Sequence, residues 1–187
     1  MKIGIFGGSF DPPHIGHKKI VKKALKKLNL DLLIVVPTFL NPLKNTSFLD
    51  ARSRLDLLKT IFFKKKKVFI SDYEINQNRA VYSLETIKYL KHKYKSCQIY
   101  LIIGADNYNS FDKWKDHEEI KELCTIVVAS RNTYETKKDD DIKKLKVDID
   151  ISSSDIRGFL NLKYIPKKIR KKVKKIWQKK GLSIGKM

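Results

Sequence analysis

The amino-acid sequence predicts an α/β fold: a doubly wound parallel sheet with helices on both faces and a small C-terminal helical segment. Three observations predict it. Short apolar runs alternate with segments of helical period along most of the chain. The clearest of those runs, LLIVV, is continuously apolar, as a strand covered on both faces must be. The stretches between runs are long enough for the crossovers that parallel neighbours require. A length of 187 residues suits one domain, with a core over about 1–150 and a helical part over about 151–187.

The elements follow in order. Lys2–Phe6 (KIGIF) reads as a first strand, and Ile15, Ile20, Ala24, Leu25 and Leu28 carry a helical period behind it. Leu32–Val36 (LLIVV) is a second strand ended by Pro37. Ala51–Phe63 places Leu55, Leu58 and Phe62 at helical spacing, and Val68–Ile70 is a short third strand. Tyr82–Tyr94 is helical through Leu84, Ile87 and Leu90. Ile99–Ile103 (IYLII) and Thr125–Ala129 (TIVVA) are the fourth and fifth strands. Arg131–Lys144 reads as a solvated loop, and its Asp139–Asp141 run as loop charge rather than a metal cluster. Near the C-terminus Ile165, Ile169, Val173, Ile176 and Trp177 form a helical stripe after Pro166.

Composition narrows the function. Apolar residues make up 42% of the chain, which argues against disorder. No run is long enough to span a bilayer, and the N-terminus does not read as a secretory signal, so a cytoplasmic protein is expected. Cys97 and Cys124 form no C-x-x-C pair and read as buried free thiols. The net charge of +21 suggests a polyanion partner. Yet only six of the 41 basic residues are arginine, the preferred group for bidentate phosphate and base contacts, so no dedicated nucleic-acid role is expected. The segment Lys163–Lys180 has ten basic residues and no acidic one. It reads either as a terminal helix with lysines outward or as an RNA- or membrane-surface site.

The stretch GGSFDPPHIGH, residues 7–17, carries the strongest chemistry. It follows the first strand, at the carboxyl edge where such sheets bind ligands. Gly7 and Gly8 permit close backbone approach, and Pro12 and Pro13 suit the start of a helix. His14 and His17 then share one face of a first helical turn, beside exposed amides and the positive end of the dipole. That is a phosphate site. A metal pair lacks a third ligand nearby, and one capping plus one packed histidine is the plain structural alternative. Later in the chain Ser152 and Asp155 form an S-x-x-D capping box, which opens a second helix N-terminus with Arg157 on its first turn.

GSFDPPHIGH resembles the (H/T)-x-G-H signature of the nucleotidylyltransferase superfamily, and its long form is similar to bacterial nicotinate-nucleotide adenylyltransferases. Further motifs follow in the family's order over roughly residues 2–160. NPLK (Asn41–Lys44) matches an N-P-x-K loop, and ARSRLDLL resembles an A-R-x-x-M helix with Leu55 for methionine. AVYSLETI is similar to S-Y-T-x-D-T-L, GADNYNSFDKW to G-x-D with a distant tryptophan, and ISSSDIR to I-S-S-T-x-I-R with Ser154 for threonine. The chain departs from the family at ASRNTY, where R-P-G is usual. Only Arg131 corresponds, which leaves the adenine-side contacts of that loop unassigned.

The resemblance implies a Rossmann-like fold and an enzyme of NAD biosynthesis, which joins nicotinate mononucleotide to the AMP part of ATP and releases pyrophosphate. It implies ATP contacts by Gly7, Gly8, Ser9, Phe10, His14, His17, Gly104, Asp106, Ser153, Ser154 and Arg157, with His14, His17 and Arg157 catalytic. It implies mononucleotide contacts by Ser9, Lys44, Tyr82, Ser83 and Trp114, the last as a platform for the ring. Magnesium arrives with ATP, so no resident metal site is expected. Nicotinamide-mononucleotide and phosphopantetheine adenylyltransferases are the nearest rival readings, and a homo-oligomer is compatible with the sequence.

Overall fold

The computed structural model describes residues 1–130, 142–147 and 151–182. Strand β1 (Lys2–Gly8) runs into helix α1 (Ile15–Lys27), which returns the chain to β2 (Leu32–Pro37). Helix α2 (Ala51–Phe62) leads to β3 (Val68–Ile70). The chain then crosses through α3 (Tyr73–Asn76) and α4 (Ser83–Lys93) to β4 (Gln98–Gly104). A short α5 (Ala105–Tyr108) and α6 (His117–Leu123) connect β4 to β5 (Thr125–Ser130), and β6 (Lys143–Lys146) lies beyond. Helices α7 (Ser153–Phe159) and α8 (Lys167–Lys179) close the described chain.

All six strands are parallel, in the order β3-β2-β1-β4-β5-β6. The winding reverses between β1 and β4, which opens a crevice at their carboxyl ends. The strands' alternation builds both faces. Phe6, Leu33, Val35 and Ile102 point to one side, where they meet Val21 and Ala24 of α1 and Leu57, Leu58 and Ile61 of α2. Ile3, Ile5, Ile34, Val36 and Leu101 point to the other, where they meet Leu84 and Ile87 of α4 and Ile120 of α6. Consecutive residues of one strand thus face opposite cores, which explains the continuous apolar runs.

Two expectations change. The fifth expected strand is not the last, because Lys143 and Lys144, read as loop, belong to edge strand β6. Its sequence KKLK holds one apolar residue, Leu145, which is buried, so periodicity has nothing to detect. Lysines on such an edge also discourage further pairing. The remainder of that loop, with Arg131 and Asp139–Asp141, lies outside the described residues. The short helices α3, α5 and α6 also went unread, being only four to seven residues long.

The C-terminal stripe is core. Ile165, Ile169, Val173 and Trp177 have essentially no exposure and join the cluster that holds Phe6 and Leu33, while Ile176 is half-buried. The lysines of α8 face outward, so the terminal-helix reading describes how this segment sits. Cys124 is buried, and burial pushes its thiol up to about 12; Cys97 is half-buried, and both are free. Among the described residues no helix is long and apolar enough to cross a membrane.

Candidate active site

The crevice between the ends of β1 and β4 is a cleft of about 380 Å³. It gathers segments far apart in sequence: Gly7–Asp11, His14 and His17, Lys44, Gly104 and Asp106, and Ser152–Ser154 with Arg157. Every residue assigned to ATP from the sequence therefore lies on one surface. Two tethers hold its halves together. Arg157 Nη1 donates to the carbonyl of Asp11, and Ser153 Oγ donates to the carbonyl of Pro12 at 3.1 Å. Arg157 Nη2 also donates to Ser154 Oγ at 3.0 Å. At the start of α7, Ser152 Oγ accepts from the amide of Asp155 while Asp155 Oδ2 accepts from the amide of Ser152. This is the capping box that the sequence predicts, and it places the positive end of α7 at the cleft.

The histidines are built into the helix start. His14 is the N-cap of α1, and its Nδ1 accepts from the amide of Gly16 at 3.1 Å. His17 Nδ1 accepts from the amide of His14 at 3.1 Å. The pair is thus a capping box made of imidazoles. Because each Nδ1 is an acceptor, each proton sits on Nε2, which makes the far edge of each ring a donor. The rings lie 3.6 Å apart between centroids, and Phe10 meets His17 edge-on at 4.8 Å. Capping by Nδ1 therefore leaves the Nε2 edge of each ring out of the cap, so the capping reading and the phosphate reading that the sequence offers are not mutually exclusive.

Gly16 makes this possible, since a Cβ there would lie 2.8 Å from Cε1 of the His14 ring. Phe10 takes a φ of 50°, a region costly for a bulky side chain, and buries its ring against Phe6 and His17. It serves as the seat of His17. We expect Gly16→Ala to displace the His14 ring and lower turnover with ATP about tenfold or more, read as initial rate at saturating substrate.

Three positioning residues escaped the sequence reading. Arg54, on α2, has no exposure, and its donors all meet carbonyls: Ser9 at 2.6 Å, Thr38 at 2.8 Å, Phe39 at 2.8 Å and Leu49 at 3.1 Å. It fastens the loop after β1 to the loop after β2. Burial draws its guanidinium below the usual value, against the nearby charges of Asp11, Asp50 and Glu74. Asp11 accepts from the amides of Phe48 and Leu49, at 2.7 and 2.8 Å, and fixes the same region. Glu74, on α3, is buried and accepts from Thr86 Oγ1 at 2.7 Å. Desolvation chiefly raises its carboxyl to about 7, opposed by the Thr86 hydrogen bond. The folded chain thus binds a proton there that the unfolded chain has lost. Glu74's contribution to stability is therefore expected to decline as pH rises from about 4.5 to about 7. Glu74→Gln removes this part of the slope in denaturation measured across that range. No spacing signals any of the three roles, since their partners are backbone groups or distant side chains.

A second pocket, of about 120 Å³, opens from the other side of Gly7 and Gly8. Trp114, Tyr82 and Ser83 line it. Trp114 is half-buried, with Phe111 at 5.3 Å between ring centroids. The amide of Tyr82 donates to Glu85 Oε1 at 3.2 Å. The amides of Ser83 and Leu84, on the first turn of α4, have no acceptor within the helix. Ser9 and Lys44 lie instead on the other side, where both line the main cleft and a polar pocket of about 390 Å³ beside it. Asn41, from the same NPLK loop, lines all three. Among the described residues no group of three histidine, cysteine or acidic side chains stands ready for a metal.

Comparison with known proteins gives the family. The cytidylyltransferase-like family model matches residues 5–159. A protein of Aliarcobacter butzleri, described as a "Probable nicotinate-nucleotide adenylyltransferase", is 50% identical over 92% of this chain and 95% of its own. One of the same description from Sulfurimonas denitrificans is 44% identical over 91% and 92%. Among solved structures, the nicotinic acid mononucleotide adenylyltransferase of Plasmodium falciparum complexed with NaAD superposes with a TM-score of 0.82 at 20% identity, over 94% of this chain and 96% of that one; it speaks for the fold. A family match across most of the sequence, with relatives this similar over nearly their whole length, means that the chain belongs to the cytidylyltransferase-like family, in the group of the nicotinate-nucleotide adenylyltransferases.

Proposed function

We propose that this protein transfers the adenylyl group of ATP to nicotinate mononucleotide, giving deamido-NAD and pyrophosphate. The observation that carries the reading is the junction of GGSFDPPHIGH with ISSSDIR, through Arg157 to Asp11 and Ser153 to Pro12, around one cleft. It sets two helix N-termini, two imidazole donors and a guanidinium about a site for a polyphosphate. The adjoining pocket, with a tryptophan and the amides of α4, suits a flat ring bearing an acid.

In this mechanism a 5′-phosphate oxygen of the mononucleotide attacks the α-phosphorus in line, and the bond to the bridging oxygen of pyrophosphate breaks. The chain needs no nucleophile of its own. It aligns the two substrates and meets charge as it develops on phosphate oxygens. The Nε2–H edges of His14 and His17 donate to ATP phosphates. Arg157, Ser153 and Ser154 hold the β- and γ-phosphates, and Lys44 adds positive charge at the rim. Asp106 lines the same cleft and would be the carboxylate to face a hydrated magnesium ion. Carried in by the phosphates, such an ion would supply charge neutralisation on the leaving group. The cytoplasm supplies both ATP and magnesium.

The direct test incubates the protein with ATP, magnesium and a panel of mononucleotides and follows dinucleotide formation by mass. Deamido-NAD as the main product is expected; a different dinucleotide, or none, would refute the reading. Trp114→Ala is expected to raise KM for nicotinate mononucleotide about tenfold and leave KM for ATP nearly unchanged, as loss of one stacking face should. Steady-state kinetics with each substrate varied in turn checks this.

A further inference from the structure

One wall of the smaller pocket is unused by this mechanism. Glu74 lines it beside Tyr82, Ser83 and Trp114. The residue is only 5% exposed, Oε1 accepts from Thr86, and Oε2 is buried with no hydrogen-bond partner. A carboxylate so placed is costly, because one oxygen has lost water and gained nothing. A carboxylic acid at the same place carries no charge and costs far less.

The surroundings do not settle its charge by pairing. Arg54, from α2, favours the carboxylate, and Glu85, from α4, favours the acid. Tyr73, from its own helix, is stacked on Tyr89 at 3.9 Å. Tyr82, Lys113 and Lys115 line the same pocket. Both lysines are exposed, and Lys115 sits over the Tyr82 ring at 5.0 Å, so water screens their effect on Glu74.

The charge matters because the two candidate rings differ in charge. In a pyridine mononucleotide the ring nitrogen is a cationic pyridinium. Nicotinate adds a carboxylate and makes the ring neutral overall; nicotinamide adds an amide and leaves it cationic. An anionic wall therefore repels the acid group of one and attracts the other ring.

We propose that Glu74 is a specificity-determining residue: as a neutral acid it admits a ring bearing a carboxylate, and as a carboxylate it turns the pocket toward a cationic ring bearing an amide. This rests on the nicotinate reading of the pocket. Since burial holds the carboxyl near neutrality, at about 7, selectivity becomes a function of pH in the physiological range. Below that value Glu74 is protonated and the acid is preferred; above it the preference declines.

The test measures kcat/KM for nicotinate mononucleotide and nicotinamide mononucleotide at saturating ATP, between about pH 6 and pH 8.5. The 5′-phosphate is common to both substrates, so its ionisation cancels in the ratio. In the wild type the nicotinate preference is expected to fall about tenfold across the range. Glu74→Gln, which cannot ionise, holds the ratio flat. Thr86→Val removes the hydroxyl that favours the carboxylate and moves the fall to higher pH; it carries the test if Glu74→Gln does not fold. A flat ratio in the wild type, an unchanged fall in Glu74→Gln, or an unmoved one in Thr86→Val overturns the proposal. Absence of either dinucleotide with the wild type at every pH overturns the nicotinate reading itself, which separates the two failures.

Discussion

His17→Asn is expected to lower turnover about a hundredfold or more while the protein stays folded. The two functions of His17 sit on opposite edges of one ring. Nδ1 accepts the amide of His14, and Nε2–H is the donor proposed for the phosphates. Asparagine places an oxygen near the Nδ1 position and nothing near Nε2, so it keeps the cap and deletes the donor. His17→Ala loses both, and with the cap about 1 kcal/mol of stability. The pair of variants therefore separates chemistry from folding. Pyrophosphate release gives turnover, and thermal unfolding gives stability. Near-wild-type turnover in His17→Asn would remove the imidazole from the mechanism.

Arg54→Met should produce the largest loss of stability of any single change in the site, about 3 kcal/mol or more. Methionine fills much of the volume, but the carbonyls of Ser9, Thr38, Phe39 and Leu49 lose a common donor at once. Arg54→Lys should recover little, since a single ammonium cannot reach four acceptors in a fork. The loops it joins carry Ser9 and Asn41 into the cleft, so turnover should fall too. Urea denaturation measures the first effect. A midpoint equal to the wild type's would mean that the four carbonyls find other partners.

Where a residue acts through its own neighbours in sequence, the site was legible. The imidazoles of residues 14 and 17, the box of Ser152 with Asp155 and the stripe of Ile169, Val173 and Trp177 each repeat at helical spacing, and each lies where that spacing puts it. Arg54 and Glu74 were not legible. Their meaning comes from the carbonyls of three loops and from a threonine on another helix, and only the closed sheet brings these within reach. Strand β6 stayed hidden because one leucine among lysines has no period. Lys44 shows a subtler limit. Its motif fixed the loop, but only the topology shows that it lines the main cleft and the polar pocket beside it rather than the pocket of Trp114.

The mutual capping of His14 and His17 has a consequence for binding. Their ring positions are settled by the same hydrogen bonds that begin α1, so forming the helix and arming the cleft are a single event. When ATP arrives, neither imidazole has rotamers left to surrender. The ordering was completed during folding, so the donors proposed for the nucleotide stand preorganised.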